Sequence, residues 1–132
     1  MKYLLDTDIC IYIIRGQPKT IAKRFRRLRA GDVGISSIAL AELAFGAAYG
    51  KSQRNRERLE TFIAPLTVVD FGQEAAFAYG ELRADLFRRG TPIGPLDTLI
   101  AAHALALDVT LVTNNEREFK RVPGLRIENW TA

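Results

Sequence analysis

The stretch Pro95-Leu96-Asp97-Thr98-Leu99-Ile100-Ala101-Ala102-His103-Ala104-Leu105-Ala106-Leu107 runs, two residues later, into Thr110-Leu111-Val112-Thr113. A proline suits the first turn of a helix, where its missing N–H has no partner to lose. Residues 96–107 behind it are almost wholly apolar, and a helix apolar nearly all round belongs inside a protein. The short β-branched run at 110–113 reads as a strand. Helix followed by strand, both buried, is the half-unit of a parallel sheet covered by helices.

The same alternation extends in both directions. Residues 2–5 read as a short buried strand ending at Asp6, and residues 9–14 start a helix capped by Asp8. Pro18 opens a second helix, with Ile21, Phe25 and Leu28 at helical spacing among Lys19, Lys23, Arg24, Arg26, Arg27 and Arg29. Residues 33–36 form a strand, and Ser36 or Ser37 caps a helix running to about Tyr49. Residues 54–63 form a helix with Leu59, Phe62 and Ile63 as its apolar side, ended by Pro65. Residues 67–71 are β-rich. Residues 73–89 form a long amphipathic helix with Phe77, Leu82 and Leu86 facing inward, closed by Gly90. Residues 125–127 form a last strand. The expected fold is a three-layer α/β/α sandwich around a mainly parallel sheet. With no repeat, low-complexity tract or linker, residues 1–132 are expected to be one domain.

Composition narrows the class of function. Hydrophobic residues make up 48% and charged residues 26%, an ordinary globular balance. No apolar run is long enough for a bilayer, and the five residues before Asp6 leave no room for a signal peptide. The single cysteine, Cys10, excludes an internal disulfide, so a reducing cytoplasm is the expected compartment. The net charge of +4 and a pI near 9.5 favour an anionic partner, of which nucleic acid is the commonest.

Elimination then leaves carboxylates to do the chemistry. His103, the one histidine, sits inside the apolar helix and is expected to be a core imidazole with a satisfied partner. Cys10 lies among isoleucines and reads as a buried, inert thiol. No nucleophile elbow, phosphate loop or zinc spacing is present. Asp6 ends a buried strand, where it also suits a turn or cap, although Asp8 looks the better cap. Glu42 is the one charged residue in Ile38-Ala39-Leu40-Ala41-Glu42-Leu43-Ala44-Phe45-Gly46, with Ile38 and Phe45 on its face. A carboxylate on an apolar face needs a partner or a metal. Asp97 lies in the first turn of the apolar helix, where the dipole favours an anion by roughly 0.3–1 kcal/mol. In such sheets the site lies beyond the carboxyl ends of the strands. Asp6 follows the first strand, and Asn114 and Asn115 follow the strand at 110–113, so both ends face one crevice. Converging acids repel, and a divalent cation resolves the repulsion. Magnesium suits oxygen donors and commonly sits between a few carboxylates and a phosphate. The basic runs at 19–29 and 51–58 then suit a polyanion's backbone.

Four segments carry a resemblance. Leu4-Leu5-Asp6-Thr7, the helix bearing Ala41-Glu42-Leu43, the phrase Pro92-Ile93-Gly94-Pro95-Leu96-Asp97-Thr98-Leu99-Ile100-Ala101-Ala102, and Leu111-Val112-Thr113-Asn114-Asn115 followed by Glu118-Phe119 resemble the PIN-domain toxins called VapC. Order and spacing agree from Asp6 through Trp130. The resemblance implies a Rossmann-like PIN fold and a magnesium-dependent endoribonuclease, with manganese as a substitute. It implies a VapB-type antitoxin that wraps the toxin and obstructs its acidic pocket, and a homodimer. The family's acidic positions fall on Asp6, Glu42 and Asp97, as metal ligands, and its fourth catalytic position falls on Asn115. That fourth position is often aspartate. An amide there can still touch a metal or its water but carries no charge. The Thr113-Asn114-Asn115 spelling is similar to a subgroup that cuts the anticodon stem-loop of initiator tRNA, which makes initiator tRNA the expected substrate.

Other readings predict different partners for the same acids. Asp6-Thr7-Asp8 resembles the first motif of haloacid-dehalogenase phosphatases, but Ile9 and Cys10 stand where those need a threonine or valine, and no later lysine can be placed. A response-regulator-like module needs a phosphoacceptor ending the third strand, for which Asp70 is the candidate, again without its lysine. A basic RNA-binding domain without catalysis is the remaining reading.

Overall fold

The computed structural model describes residues 1–131. Five strands form one sheet in the order β3-β2-β1-β4-β5, with β1 Tyr3–Leu5, β2 Val33–Ser36, β3 Thr67–Val69, β4 Thr110–Val112 and β5 Ile127–Glu128. Every pairing is parallel: Tyr3 lies opposite both Val33 and Thr110, Gly34 opposite Thr67, and Leu111 opposite Ile127. Parallel neighbours need crossovers, and helices supply them. They are α1 Thr7–Arg15, α2 Lys19–Arg26, α3 Ser37–Tyr49, α4 Gln53–Ile63, α5 Gln73–Arg88, α6 Pro95–Leu107 and the short α7 Glu116–Phe119.

Period-2 alternation in the central strands divides the core in two. Leu4 and Leu111 point to one face, where they meet Leu82, Leu86, Ile100, Ala101 and Phe119. Leu5 and Val112 point to the other, with Ile9, Ile21, Leu43, Phe62 and Trp130. Each fully buried leucine or isoleucine contributes about 1.5–3 kcal/mol, so both helical layers are strongly attached. Helix α3 contributes to both cores, through Ala39 to the first and Leu43 to the second.

The chain leaves β1 toward β2 through α1 and α2, which pack with one core. It reaches β4 through α5 and α6, which pack with the other. The strand order therefore reverses between β1 and β4, and their carboxyl ends border the crevice where open parallel sheets place their ligands. Asp6 and Thr113 follow these two strands directly. No described helix is long and apolar enough to cross a membrane.

Several expectations are corrected. Phe77 is 69% exposed, and the buried side of α5 consists of Ala75, Leu82 and Leu86. Phe77 lies nine residues before Leu86, about 180° around a helix of 3.6 residues per turn, so the two cannot share a face. Phe45 is 68% exposed, so the face of α3 that carries Glu42 is only partly covered. Asp6, rather than Asp8, occupies the N-cap of α1. The last strand falls at Ile127–Glu128, later than expected, because it must lie beside Leu111 and Val112.

Candidate metal centre

Asp6 is fixed from both sides of the crevice. Its extended backbone (φ −70°, ψ 159°) ends β1 and caps α1, and Oδ1 accepts the Thr7 N–H at 2.8 Å. Oδ2 accepts the Thr113 hydroxyl at 2.8 Å, which ties β1 to β4 at their carboxyl ends. The residue is 6% exposed. Burial raises its pKa from an ordinary 3.8 to about 7, with the Asp8 charge adding to it and Asp97 contributing less. The two hydrogen bonds oppose that rise and do not overcome it.

The other acids arrive from separate elements. Glu42, on α3, accepts the Thr7 hydroxyl at 3.0 Å. Asp97 stands in the first turn of α6 and is partly buried. Burial raises its pKa, followed by the charges of Glu118, Glu42 and Asp8. Those electrostatic neighbours place Asp6, Asp8, Glu42, Asp97 and Glu118 around one crevice. Asn115 joins them at the N-cap of α7, where its Nδ2 donates to Asp97 Oδ2 at 3.3 Å. Its backbone N–H donates to the Thr113 hydroxyl at 2.9 Å.

Three of these participants escaped sequence reading as site residues. Asp8 was assigned to capping, yet its Oδ2 accepts the Asn114 N–H across the crevice at 3.1 Å while Oδ1 accepts the Ile9 N–H at 2.7 Å. Burial raises its pKa as well. Thr7 and Thr113 act through their hydroxyls, and the signal for both was adjacency to a strand's carboxyl end. The remaining candidates take structural places. His103 is 2% exposed, and its Nδ1 lies 2.8 Å from the Ser36 hydroxyl that caps α3. Cys10 is buried, and burial raises its thiol pKa well above the usual value. Asp70, the alternative phosphoacceptor, is exposed beyond the edge strand β3.

The donor set suits a hard cation, since carboxylate and amide oxygens are what magnesium-like ions take. A buried Asp6 pushed up to about 7 by burial and like charges is the electrostatic condition a cation relieves. Among the described residues no three acidic, cysteine or histidine side chains close on one point as a dry cage requires. The arrangement fits an ion that keeps several waters and binds through one or two carboxylates. Beside the crevice, a cavity of about 310 Å³ opens between α1, α3 and α4, touching Thr7 and Glu42 and bearing Arg15 and Arg58 on its walls.

An all-parallel sheet with acidic side chains gathered at the switch beside its first strand defines a PIN-type nuclease scaffold, and the PIN domain family model matches residues 3–125. Within that class, the chain belongs to the VapC ribonuclease family. It is 46% identical over 131 residues to the tRNA(fMet)-specific endonuclease VapC of Salmonella typhimurium, covering 98% of each chain. It is 45% identical to ribonuclease VapC2 of Rickettsia felis, again over 98% of each. Among solved structures it resembles the DNA-bound VapBC of Salmonella typhimurium, with a TM-score of 0.90, 47% identity and 98% of each chain covered. It also resembles VapBC2 of Rickettsia felis bound to a promoter DNA fragment, with a TM-score of 0.89, 44% identity, and 98% of this chain and 99% of that chain covered. PIN-domain nucleases generally depend on divalent metal ions.

Proposed function

We propose that this chain is a magnesium-dependent endoribonuclease, folded as a single domain over residues 1–132, and the toxin of a type II toxin–antitoxin pair. The observation that carries this reading is the meeting of acids from β1, α1, α3 and α6 at the sheet's switch point, with Asp6 buried and its pKa pushed up to about 7. Asp6 and Asp97 would hold the cation directly and Glu42 through one of its waters, and Asn115 would orient the Asp97 carboxylate through its amide. A bound magnesium, or manganese in its place, supplies charge for a phosphodiester transition state and lowers the pKa of a bound water. The chain's own residues orient and shield. Thr113 and Thr7 fix the two oxygens of Asp6, and the Thr7 hydroxyl directs Glu42.

The substrate proposed is the anticodon stem-loop of initiator tRNA, so that cleavage stops translation in the cytoplasm. Support comes from likeness to the tRNA(fMet)-specific endonuclease of Salmonella typhimurium over 98% of each chain. A VapB-type antitoxin is the proposed neutralising partner, by likeness to the two VapBC complexes, and a homodimer is the proposed toxin assembly. The decisive experiment incubates purified toxin with total RNA, with and without magnesium, and maps the new ends. Cuts confined to initiator tRNA and dependent on magnesium are expected. Asp6→Asn, which removes charge and keeps shape, should lower cleavage by more than ~100-fold, exceeding the usual loss for an outer partner of a metal ligand. Full cleavage in chelator, or by that variant with its circular dichroism unchanged, would overturn the reading.

A further inference from the structure

The C-terminal residues are bound into the turn that carries Asn115. Trp130 is 1% exposed and meets Tyr3 edge-on, with ring centroids 5.3 Å apart. Its indole N–H donates to Glu128 at 3.2 Å. Arg24 closes the other side, 5.1 Å from the indole centroid and 2.6 Å from the Glu128 carboxylate. So anchored, the chain presents Asn129 to the turn after β4. Asn129 Nδ2 donates to Asn114 Oδ1 at 3.1 Å and to Glu116 Oε2 at 3.2 Å. Its Oδ1 accepts the Thr131 N–H at 2.9 Å and the Thr131 hydroxyl at 2.7 Å.

The far side of the same turn faces the acids. The Asn114 N–H donates to Asp8 Oδ2, and the Asn115 amide donates to Asp97 Oδ2. Phe119 anchors the far end of the turn's helix in the core and the Thr113 hydroxyl accepts the Asn115 N–H, but neither holds the side chains of Asn114 and Glu116. Helix α7 has four residues, its N-cap makes no side-chain hydrogen bond, and so short a helix does not hold itself together in water.

We propose that Asn129 is a positioning residue for the acidic centre, clamping residues 114–116 so that the Asn114 N–H stays on Asp8 and the Asn115 amide stays on Asp97. The proposal rests on the crevice being the metal site. Asn129 makes no hydrogen bond to Asp6, Asp8, Glu42 or Asp97 and acts through the turn.

Two substitutions separate its two halves. Asn129→Ala removes the donor to the turn and the acceptor for Thr131. Asn129→Asp keeps the acceptor for Thr131 and replaces the donor with a carboxylate that repels Glu116, so it releases the turn while leaving the tail's own hydrogen bonds in place. Each should weaken Mn²⁺ binding to the free protein by about 10-fold, the lower end of what an outer partner of a metal ligand contributes. Electron paramagnetic resonance of unbound Mn²⁺ reads this without any turnover. At limiting metal, kcat should fall while KM for RNA is unchanged, and the melting temperature should stay within a few degrees of wild type. A purely structural residue would lower the melting temperature and leave the folded protein's Mn²⁺ affinity alone, which would overturn the proposal. Weakening by Asn129→Ala alone would also overturn it, by assigning the effect to the tail. Asp6→Asn and Asp97→Asn serve as controls. If wild-type Mn²⁺ binding survives both, the metal reading itself fails, and the positioning role with it; if they abolish binding while both Asn129 variants match wild type, only the positioning role fails.

Discussion

Asp6 caps α1 while burial and like charges oppose its ionisation. Its folded-state pKa of about 7 lies above the ordinary 3.8, so the native protein binds this proton more tightly than the unfolded chain. Stability from that difference is complete below about pH 4 and is lost as pH rises toward 7, at about 1.4 kcal/mol per pH unit within the window. Melts of the metal-free protein should therefore show a falling melting temperature from pH 4 to 7, and Asp6→Asn should flatten that slope. An equal slope in both proteins would assign the effect to other acids. Asn115 allows a complementary test. Its amide now donates to Asp97, and Asn115→Asp would replace that bond with a repulsion only a cation relieves. Metal-free stability should drop, while calorimetry should find tighter magnesium binding than in wild type. At this scale the sequence exposed Asp6, Glu42 and Asp97 because each is a lone acid on an apolar segment. Asp8 was hidden because a first-turn aspartate has an ordinary explanation, and its bond to Asn114 spans 106 residues.

Element boundaries were legible wherever a cap or breaker marks them. The strand at Val33–Ser36 and the helix start at Ser37 coincide with expectation, since Ser36 accepts the Ile38 N–H at 3.0 Å. Helix α6 begins at Pro95 for the reason its sequence suggests. The elements that escaped or shifted are the shortest. Helix α7 spans about one turn and cannot display a period, and β5 has two residues whose place is set by β4. Phe77 departs from expectation because its apolar size suggests the interior while its position in the helical turn faces away from Leu82 and Leu86. Truncation separates the two kinds of position on α5. Leu86→Ala, 1% exposed, should cost ~2–5 kcal/mol by urea unfolding. Phe77→Ser should stay within about 0.5 kcal/mol in a dilute monomer, and a larger loss there would mean that its face is covered.

Across the whole molecule, a net charge of +4 accompanies an acidic crevice. Lys23, Arg26 and Arg27 are exposed on or beside α2, while the neighbouring Arg24 is committed to Glu128 and Trp130. If Lys23, Arg26 and Arg27, which make no ion pair among the described residues, contact RNA phosphates, each alanine variant should flatten the log–log salt dependence of RNA affinity by about 0.7. Cut-site choice should not change, because phosphate contacts carry no base information. Arg24→Ala should instead loosen the C-terminal anchor and leave the salt slope as it was. Equal slopes for all variants would move the RNA path elsewhere. The layered fold was legible from the alternation of strands and helices, and the convergence of the acids was expected from Asp6 and Asn115 lying beyond strand ends; the hydrogen bonds that join them were not legible, since no spacing rule links positions so far apart. That dispersal has a consequence for assembly of the site. β1 lies between β2 and β4, and β4 is encoded more than 100 residues after it. A chain that ends before residue 97 carries Asp6 and Glu42 but not the strand that seats Asp6, nor Asp97 or Asn115. The crevice is therefore complete only once residues 110–115 have joined the sheet, and a cut that frees them leaves Asp6 without the Thr113 hydroxyl and Asp97 without the Asn115 amide.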